Sequence, residues 1–277
     1  MCSCYARYGW HGWYGRRYAR HDVSHLNSCA SGRTLGSAPT LFRPKPPKFA
    51  VVTHNKRGGP QRIPRPQQWR LGNSAPWADI NQISLESLER NLAVRPTRQQ
   101  LTGAPPPKRH SAVLIALYEA PETTVILTRR TQQMRSHSGE VSFPGGGQDP
   151  DESLWETACR EAHEEVHLDR SLIQKIGELD HLTTVSSQAR IVPYVARLSH
   201  KPLLAPNPAE VDKILEVPLS ELMLPEVYRE ERWLWPGSNE ERSVYFFELY
   251  GDTIWGATAN LLHQLLMSGL QESEDTK

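Results

Sequence analysis

Apolar residues recur at regular spacings only from about residue 78 onward. The stretch DINQISLESLERNL, residues 79–92, places Ile83, Leu88 and Leu92 on one side of a helix. The next two apolar stretches, SAVLIALYE and TTVILTRR, are short and rich in β-branched residues, and the residues APE separate them. This pattern predicts one helix followed by a β-hairpin.

Three later stretches, ARIVPYVARL, KILEVPL and SVYFFELYG, have the length and composition of strands. The apolar stretch ATANLLHQLLMSGL predicts a helix near the end of the chain. Several strands with few helices favour an α/β (α+β) sandwich, because helices must cover the faces of the sheet. The folded domain is therefore predicted to span residues 79–277.

A further amphipathic helix is predicted over SLWETACREAHEEV, residues 153–166. Before it, Asp149 can cap free N–H groups, Pro150 suits a first turn, and Glu152 can complete a capping box. One side of the helix carries the residues that we expect to pack in the core, namely Trp155, Ala158, Cys159, Ala162 and Val166.

Glu161, Glu164 and Glu165 fall together on another side of this helix, within an arc of about 100°. A solvated helix face usually alternates charge signs, whereas Glu161 and Glu165 are like charges at i and i+4 that repel each other. Mg²⁺ and Mn²⁺ prefer carboxylate oxygens and would remove this repulsion. The helix alone leaves two interpretations open, a glutamate-rich solvated face and a metal site.

Residues 1–78 differ from the rest of the chain in charge. They contain thirteen Lys and Arg but one acid, Asp22, whereas residues 79–277 contain nineteen bases and thirty acids. Together with frequent Pro and Gly, this predicts a disordered basic N-terminal tail or leader over residues 1–78. We expect removal of these residues to leave the chemistry intact.

Three other interpretations of the tail were considered. An Arg-rich, acid-poor start is typical of mitochondrial transit peptides. Basic residues interleaved with aromatic ones can bind single-stranded nucleic acid, although we do not expect such binding here. A zinc site would need ligands from a set whose spacing matches no usual pattern, namely Cys2, Cys4, His21, His25 and Cys29.

Composition also bears on the location of the protein. No apolar run is long enough to span a membrane, and the four cysteines make no convincing disulfide framework. We therefore expect a cytoplasmic protein without membrane contact. A mitochondrial location is the alternative if the basic N-terminus is a transit peptide, and the oligomeric state is left open.

The residues in and before the glutamate helix resemble the signature of the Nudix hydrolases. The matching positions are Gly146, Glu152, Arg160, Glu161, Ala162, Glu164, Glu165 and Leu168. His167 departs from the signature, which has glycine there. A left-handed helix end with a Cβ costs roughly 1 kcal/mol, so we expect reduced stability rather than lost catalysis.

The preceding stretch, LTRRTQQMRSHSGEVSFPGG, is similar to a motif of the coenzyme A diphosphatase branch of that family. Arg130, Arg135, Gly139 and Phe143 match this motif, while Thr131 stands where Ser or Ala is usual. The stretches PAEVDKILEVPLSEL and IWGATANLL are also similar to this branch. The resemblance implies a Nudix-type α/β/α sandwich with a mixed sheet. It also implies hydrolysis of the pyrophosphate bond in coenzyme A or its thioesters to 3′,5′-ADP and 4′-phosphopantetheine or its acyl derivative.

The resemblance further implies roles for individual residues. Mg²⁺ or Mn²⁺ would be held by Glu161 and Glu165, and next by Glu164. The catalytic group would comprise Glu164, Glu161 and Arg160. Either Glu164 or Glu210 would act as the general base, and Arg160 is expected to steady the glutamates through ion pairs. The substrate would contact Arg130, Arg135, Gly145 and Gly146, and Glu152 would support the motif as a helix cap or from beside the site.

Two alternatives to coenzyme A hydrolysis remain open. A hydrolase of the same fold could act on another nucleotide diphosphate, such as ADP-ribose or NADH. An inactive Nudix-type binding module is the second alternative, and the complete set of glutamates argues against it.

Overall fold

The computed structural model describes residues 56–78, 80, 82–96, 109–133, 137–183 and 189–270, all of which lie in one unit, Val52–Lys277. The predictions of a leader, a transit peptide or a zinc site at the start of the chain concern residues 1–55, outside the described residues. Arg135 also lies outside them. No helix in the described stretches is long and apolar enough to cross a membrane.

A mixed sheet forms the centre of the fold. Among the described residues its eight strands are β2 (Arg109–Glu119), β3 (Thr123–Arg130), β4 (Val141–Ser142), β5 (Gly145–Gly147), β6 (Ile173–Glu178), β7 (Leu182–Thr183), β8 (Ala189–Leu198) and β9 (Val211–Pro218). Strands β2 and β8 run parallel, and the other paired strands run antiparallel. The predicted hairpin is confirmed, since β2 pairs with β3 beside a short turn.

Both faces of this sheet are covered by helices. Helix α2 (Leu154–Val166) packs on the face that carries Ala112, Leu114 and Ala116 of β2. The opposite face, with Ile115 and Leu117, packs in a cluster with residues of α1 (Leu85–Val94) and α4 (Gly256–Gly269). Successive residues of a strand point to opposite faces, so a strand buried on both sides is continuously apolar. The predicted α/β/α sandwich is confirmed.

A second, antiparallel sheet contributes to the cluster that contains α1 and α4. Its strands, in their order across the sheet, are β1 (Gln68–Leu71), β10 (Tyr228–Leu234), β11 (Arg242–Leu249) and β12 (Asp252–Trp255). Phe247 and Ile254 of this sheet are fully buried in that cluster. The short helix α3 (Leu219–Leu222) follows β9.

The domain boundary predicted at residue 78 is wrong for residues 56–78. Strand β1 pairs with β10, and Trp77 is only 1% exposed, with its indole N–H donating to the carbonyl of Met223 at 3.1 Å. Arg65 donates two hydrogen bonds to the buried carboxylate of Glu231. These residues are held by one edge-strand pairing and a few long-range contacts, which leave no apolar periodicity in the sequence.

The N-terminal cap predicted for α2 is also wrong in its position. Ser153, not Asp149, is the N-cap, and Glu156 completes the capping box by accepting from the Ser153 N–H at 2.8 Å. At the other end, His167 adopts φ +55° and ψ +31°, so the predicted left-handed helix end is confirmed. The sequence alone does not distinguish the two possible capping boxes, because an acidic residue stands three positions after Asp149 and three positions after Ser153.

Candidate active site

Arg160 lies at the centre of the polar face of α2. Its Nη1 donates to Glu161 Oε1 at 3.0 Å and to Glu164 Oε2 at 2.9 Å. Its Nε and Nη2 donate to the two carboxylate oxygens of Glu152, at 3.1 and 2.9 Å, and Nη2 also reaches the carbonyl of Gly147 at 3.2 Å. These hydrogen bonds, above all that with Glu152, raise the pKa of the guanidinium, so Arg160 stays charged and fixed in place.

Glu152 holds Arg160 and does not cap α2. Besides the two bonds from Arg160, Glu152 Oε1 accepts from the Asp149 N–H at 3.0 Å and from the Thr157 hydroxyl at 2.8 Å. The hydrogen bond from Arg160 is the largest cause that lowers the pKa of Glu152 to about 2. An ionised carboxylate with four donors is a rigid support for the arginine.

Glu165 is the most deeply buried of the three glutamates on α2, at 2% exposure. Its Oε1 accepts from Arg130 Nη1 at 3.4 Å, whereas its Oε2 is buried without a hydrogen-bond partner among the described residues. Burial raises the pKa of Glu165 to about 8, and the charge of Arg130 and, more weakly, the backbone N–H of Gly145 oppose this rise. A buried carboxylate oxygen without a partner lowers the stability of the fold, which indicates that Glu165 serves a function other than stabilising the structure.

Glu161 and Glu164 have different surroundings. The side chain of Glu164 is 54% exposed, while that of Glu161 is 17% exposed. Burial raises the pKa of Glu161, the charge of Arg160 lowers it, and the carboxylates of Glu164 and Glu210 raise it further. Glu210, the last residue of the β8–β9 connection, thus acts on the same group of charges.

Strand β5 brings two glycines against this face of the helix and against β2. A Cβ on Gly146 would lie 2.3 Å from Glu161 Oε1, and a Cβ on Gly145 would lie 2.4 Å from the carbonyl oxygen of Ala112. Either contact is too short for real atoms. The glycines therefore permit the close approach of β5 to both neighbours, and Gly146 leaves the room that the Glu161 carboxylate occupies.

The described residues do not form a preassembled metal cage. Among them, no group of three or more His, Cys, Asp and Glu side chains converges as metal ligands do. Glu161 and Glu164 are paired with Arg160, and Glu165 with Arg130. Two features nevertheless fit a hard divalent cation. One is the oxygen of Glu165 without a partner among the described residues, and the other is the absence of a side chain at Gly146, which lets the Glu161 carboxylate lie close to β5.

A cleft of about 690 Å³ is lined in part by Gly146 and Arg130, which lie against Glu161 and Glu165, although none of the three glutamates is among its lining residues. Its polar end includes Arg130, Gly145 and Gly146. Arg242 and the apolar residues Phe143 and Trp255 are also among its walls. The cleft has the volume and the mostly apolar lining with few polar groups that are typical of small-molecule sites.

Sequence reasoning missed several residues of this cleft. Tyr245 reaches it from β11, and no local motif marks this residue. Trp255 and Asn260 reach it from β12 and α4; they lie in the stretch IWGATANLL, to which the sequence assigned no part of the site. His137 lines it with φ +55°, and its Nδ1–H donates to Glu140 Oε2 at 2.8 Å. A histidine followed three residues later by a glutamate in a glycine-bearing loop is a weak sequence signal for such a turn.

The chain is similar to known proteins both in sequence and in structure. The profile of the NUDIX domain matches residues 108–235. Among solved structures, a MutT/nudix family protein from Enterococcus faecalis is similar over 69% of this chain and 71% of its own, with 15% identity and a TM-score of 0.41.

Two other relatives are more similar to this chain in sequence than that solved structure is. Nudix hydrolase 22, chloroplastic, from Arabidopsis thaliana is 39% identical over 165 residues, which span 56% of this chain and 53% of that protein. A protein of Photorhabdus laumondii described as the uncharacterized Nudix hydrolase NudL is 42% identical over 175 residues, which span 61% of this chain and 92% of the relative. Because this identity extends over nearly the whole of the relative and the NUDIX profile also matches the chain, the chain belongs to the Nudix hydrolase family.

Proposed function

We propose that this Nudix hydrolase cleaves the pyrophosphate bond of coenzyme A or a CoA thioester, releasing 3′,5′-ADP and 4′-phosphopantetheine or its acyl derivative. One observation carries the proposal. Arg130, the last residue of β3, belongs to the stretch that resembles the coenzyme A diphosphatase motif; it lines the cleft, and its guanidinium contacts the buried Glu165. A phosphate bound by Arg130 would therefore lie beside the glutamates of α2.

The cleft suits a ligand with both charged and apolar parts. Arg130 and Arg242 supply positive charge, and Phe143 and Trp255 supply apolar surface. Coenzyme A combines phosphates and an adenine with a long, weakly polar arm. A cleft of about 690 Å³ can bury a large part of such a molecule.

Glu161 and Glu165, and next Glu164, would hold Mg²⁺ or Mn²⁺. When bound, the cation would neutralise charge on the pyrophosphate and make water a stronger nucleophile. The burial of Glu165 and the unpartnered Oε2 support this assignment, since a nearby cation would stabilise the ionised carboxylate.

The remaining groups bind, orient and accept protons. Arg160, held by Glu152, would fix the carboxylates of Glu161 and Glu164. Glu164 is the most exposed of the three glutamates and could accept a proton from the attacking water. Glu210 is the other candidate base, since its charge acts on both Glu161 and Glu165.

A substrate panel with product identification tests the proposal. Purified protein would be incubated with CoA, acetyl-CoA, ADP-ribose or NADH, each with Mg²⁺, with Mn²⁺ or with a chelator. We expect metal-dependent release of 3′,5′-ADP from CoA or acetyl-CoA. Cleavage of ADP-ribose or NADH without cleavage of either CoA species would favour the alternative substrates, and no cleavage at all would favour a binding module.

A further inference from the structure

Asp252, at the start of β12, is a fully buried carboxylate that lies beside the end of β3. Its side chain is 0% exposed and accepts from Arg129 Nη1 at 3.1 and 3.3 Å. Arg129 also pairs with the exposed Asp212, through Nε at 2.8 Å and Nη2 at 2.7 Å. The residue next to Arg130 is thereby fixed by two carboxylates from different parts of the chain.

Gln61 joins the same carboxylate to the loop that precedes β4. Its Nε2 donates to Asp252 Oδ1 at 3.1 Å and to the carbonyl of Gly139 at 3.1 Å. Its Oε1 accepts from the Thr253 N–H at 2.8 Å. Both polar atoms of one amide are therefore used, and the amide orientation follows from its partners because a carbonyl oxygen can only accept.

The contacts of Asp252 with Arg129 and of Gln61 with Gly139 both restrict the backbone at Arg130. Arg129 precedes it and is tied to Asp252, while the Arg130 N–H donates to the carbonyl of Glu140 at 2.9 Å, next to the Gly139 held by Gln61. The β3–β9 pairing is irregular between Arg129 and Arg130, so the strand ladder alone does not fix Arg130. Hydrogen bonds from side chains therefore fix the backbone here, where the pairing of the two strands is interrupted.

We infer that Gln61 and Asp252 are positioning residues that hold the Arg130 guanidinium at the cleft beside Glu165. The inference rests on the proposed function, in which Arg130 binds a phosphate of the substrate. Neither residue lines the cleft, and Gln61 lies in the stretch that composition alone assigned to a disordered tail. A contact spanning 191 residues links that stretch to the site.

The variant Gln61→Glu tests this inference with minimal change of shape. The glutamate keeps an acceptor for the Thr253 N–H but replaces the donor that faces Gly139 and Asp252 with an oxygen that repels both. Gln68→Glu, on the exposed strand β1, is the matched control because it adds the same charge away from the loop. Gln61→Met, which removes both polar ends, serves as a second variant if Gln61→Glu does not fold.

Two measurements decide the outcome. By hydrogen–deuterium exchange, the amides of Arg130 and Glu140 should exchange about tenfold faster in Gln61→Glu than in wild type or Gln68→Glu, while amides of α2 stay unchanged. In steady-state assays with CoA, KM should rise about tenfold with kcat within about twofold of wild type. Unchanged exchange at these amides, or faster exchange with unchanged KM, would overturn the inference.

Failure of the proposed function has a separate signature. A wild-type protein that does not cleave CoA refutes the coenzyme A assignment whatever the variants do. The exchange experiment needs no substrate, so it then decides alone whether Gln61 anchors this loop.

Discussion

Gly146 and Glu161 approach so closely that a methyl group at position 146 would stand 2.3 Å from Glu161 Oε1. The approach follows from the antiparallel pairing of β5 with β2 and the packing of α2 on the same face of the sheet. The glycine therefore determines where the Glu161 carboxylate can lie, although it contributes no side chain of its own.

Gly146→Ala should lower turnover at least a hundredfold, because the new methyl group displaces the Glu161 carboxylate. The matched control is Gly147→Ala, since a Cβ there meets nothing within 4 Å and the backbone carbonyl that Arg160 contacts is kept. We expect the control to retain activity within about threefold of wild type. Equal rates of metal-dependent hydrolysis in the two variants would refute this role of Gly146.

His167→Gly should change stability little, which revises the expectation from sequence. Glycine relieves the left-handed backbone, worth roughly 1 kcal/mol, but it also removes a hydrogen bond of similar value. That bond joins His167 Nδ1–H to the carbonyl of Ala205 at 2.8 Å, and the Ala205 N–H in turn donates to Val166.

His167→Ala separates the two effects, because alanine keeps the strain and loses the bond. Urea unfolding should place His167→Ala about 1 kcal/mol below both wild type and His167→Gly, with kcat unchanged in both variants. A His167→Gly protein that gains a full kcal/mol would show that the Ala205 bond contributes nothing.

His263 should contribute stability that is gained as the pH rises through about 6.5, opposite in sign to the contribution of Glu165, whose raised pKa favours the folded state at lower pH. Burial lowers the pKa of His263 below its ordinary value of 6.5, and only Glu230 opposes this shift. The unfolded chain binds the proton more readily, so this contribution is complete well above pH 6.5 and is lost as the pH falls through 6.5 towards the lower folded pKa. The ring stacks on Tyr245 with centroids 4.0 Å apart.

His263→Gln should remove this contribution, so that the difference in unfolding free energy between wild type and variant changes with pH around 6.5. Free energies of unfolding at several pH values between 5 and 7.5 would be compared for wild type and variant. Parallel curves would show that other groups cause the pH dependence.

Residues 56–78 should be required for folding. Removal of residues 1–78 eliminates β1, Trp77 and Arg65, and truncation of a buried Trp alone typically costs about 3–5 kcal/mol. We expect the protein that lacks residues 1–78 to show no cooperative thermal transition. A protein that lacks only residues 1–55 should keep one. A cooperative transition for both proteins would restore the boundary predicted from composition.

The sequence predicted the elements that bury long apolar stretches. Strands β2, β3 and β8 and helix α4 are recognisable because apolar or β-branched residues cluster along each of them. The positions of the glutamates on α2 followed from the helical period. These features depend on neighbours in the chain, which the sequence displays directly.

Contacts between distant residues were beyond such reasoning. Gln61 and Asp252 are ordinary polar residues in sequence, and their role exists only because folding brings positions 191 residues apart into contact. The difference between the exposed Glu164 and the buried Glu165 depends likewise on what packs beside each one. Helical period shows which side a residue faces, but not whether a strand and a loop cover that side.

Glu165→Gln provides the most direct test of the account, because it replaces a buried carboxylate whose Oε2 has no described partner with a neutral group of the same shape. The initial rate of 3′,5′-ADP release from CoA would be measured for wild type and variant with Mg²⁺ or Mn²⁺, together with the thermal midpoint of each protein. We predict that the rate falls at least a hundredfold while the midpoint of the metal-free protein does not fall, since burial raises the pKa of Glu165 to about 8 and a neutral amide then replaces a mostly neutral carboxyl group. A Glu165→Gln protein that releases 3′,5′-ADP at the wild-type rate, or a wild-type protein that releases none, would contradict the account.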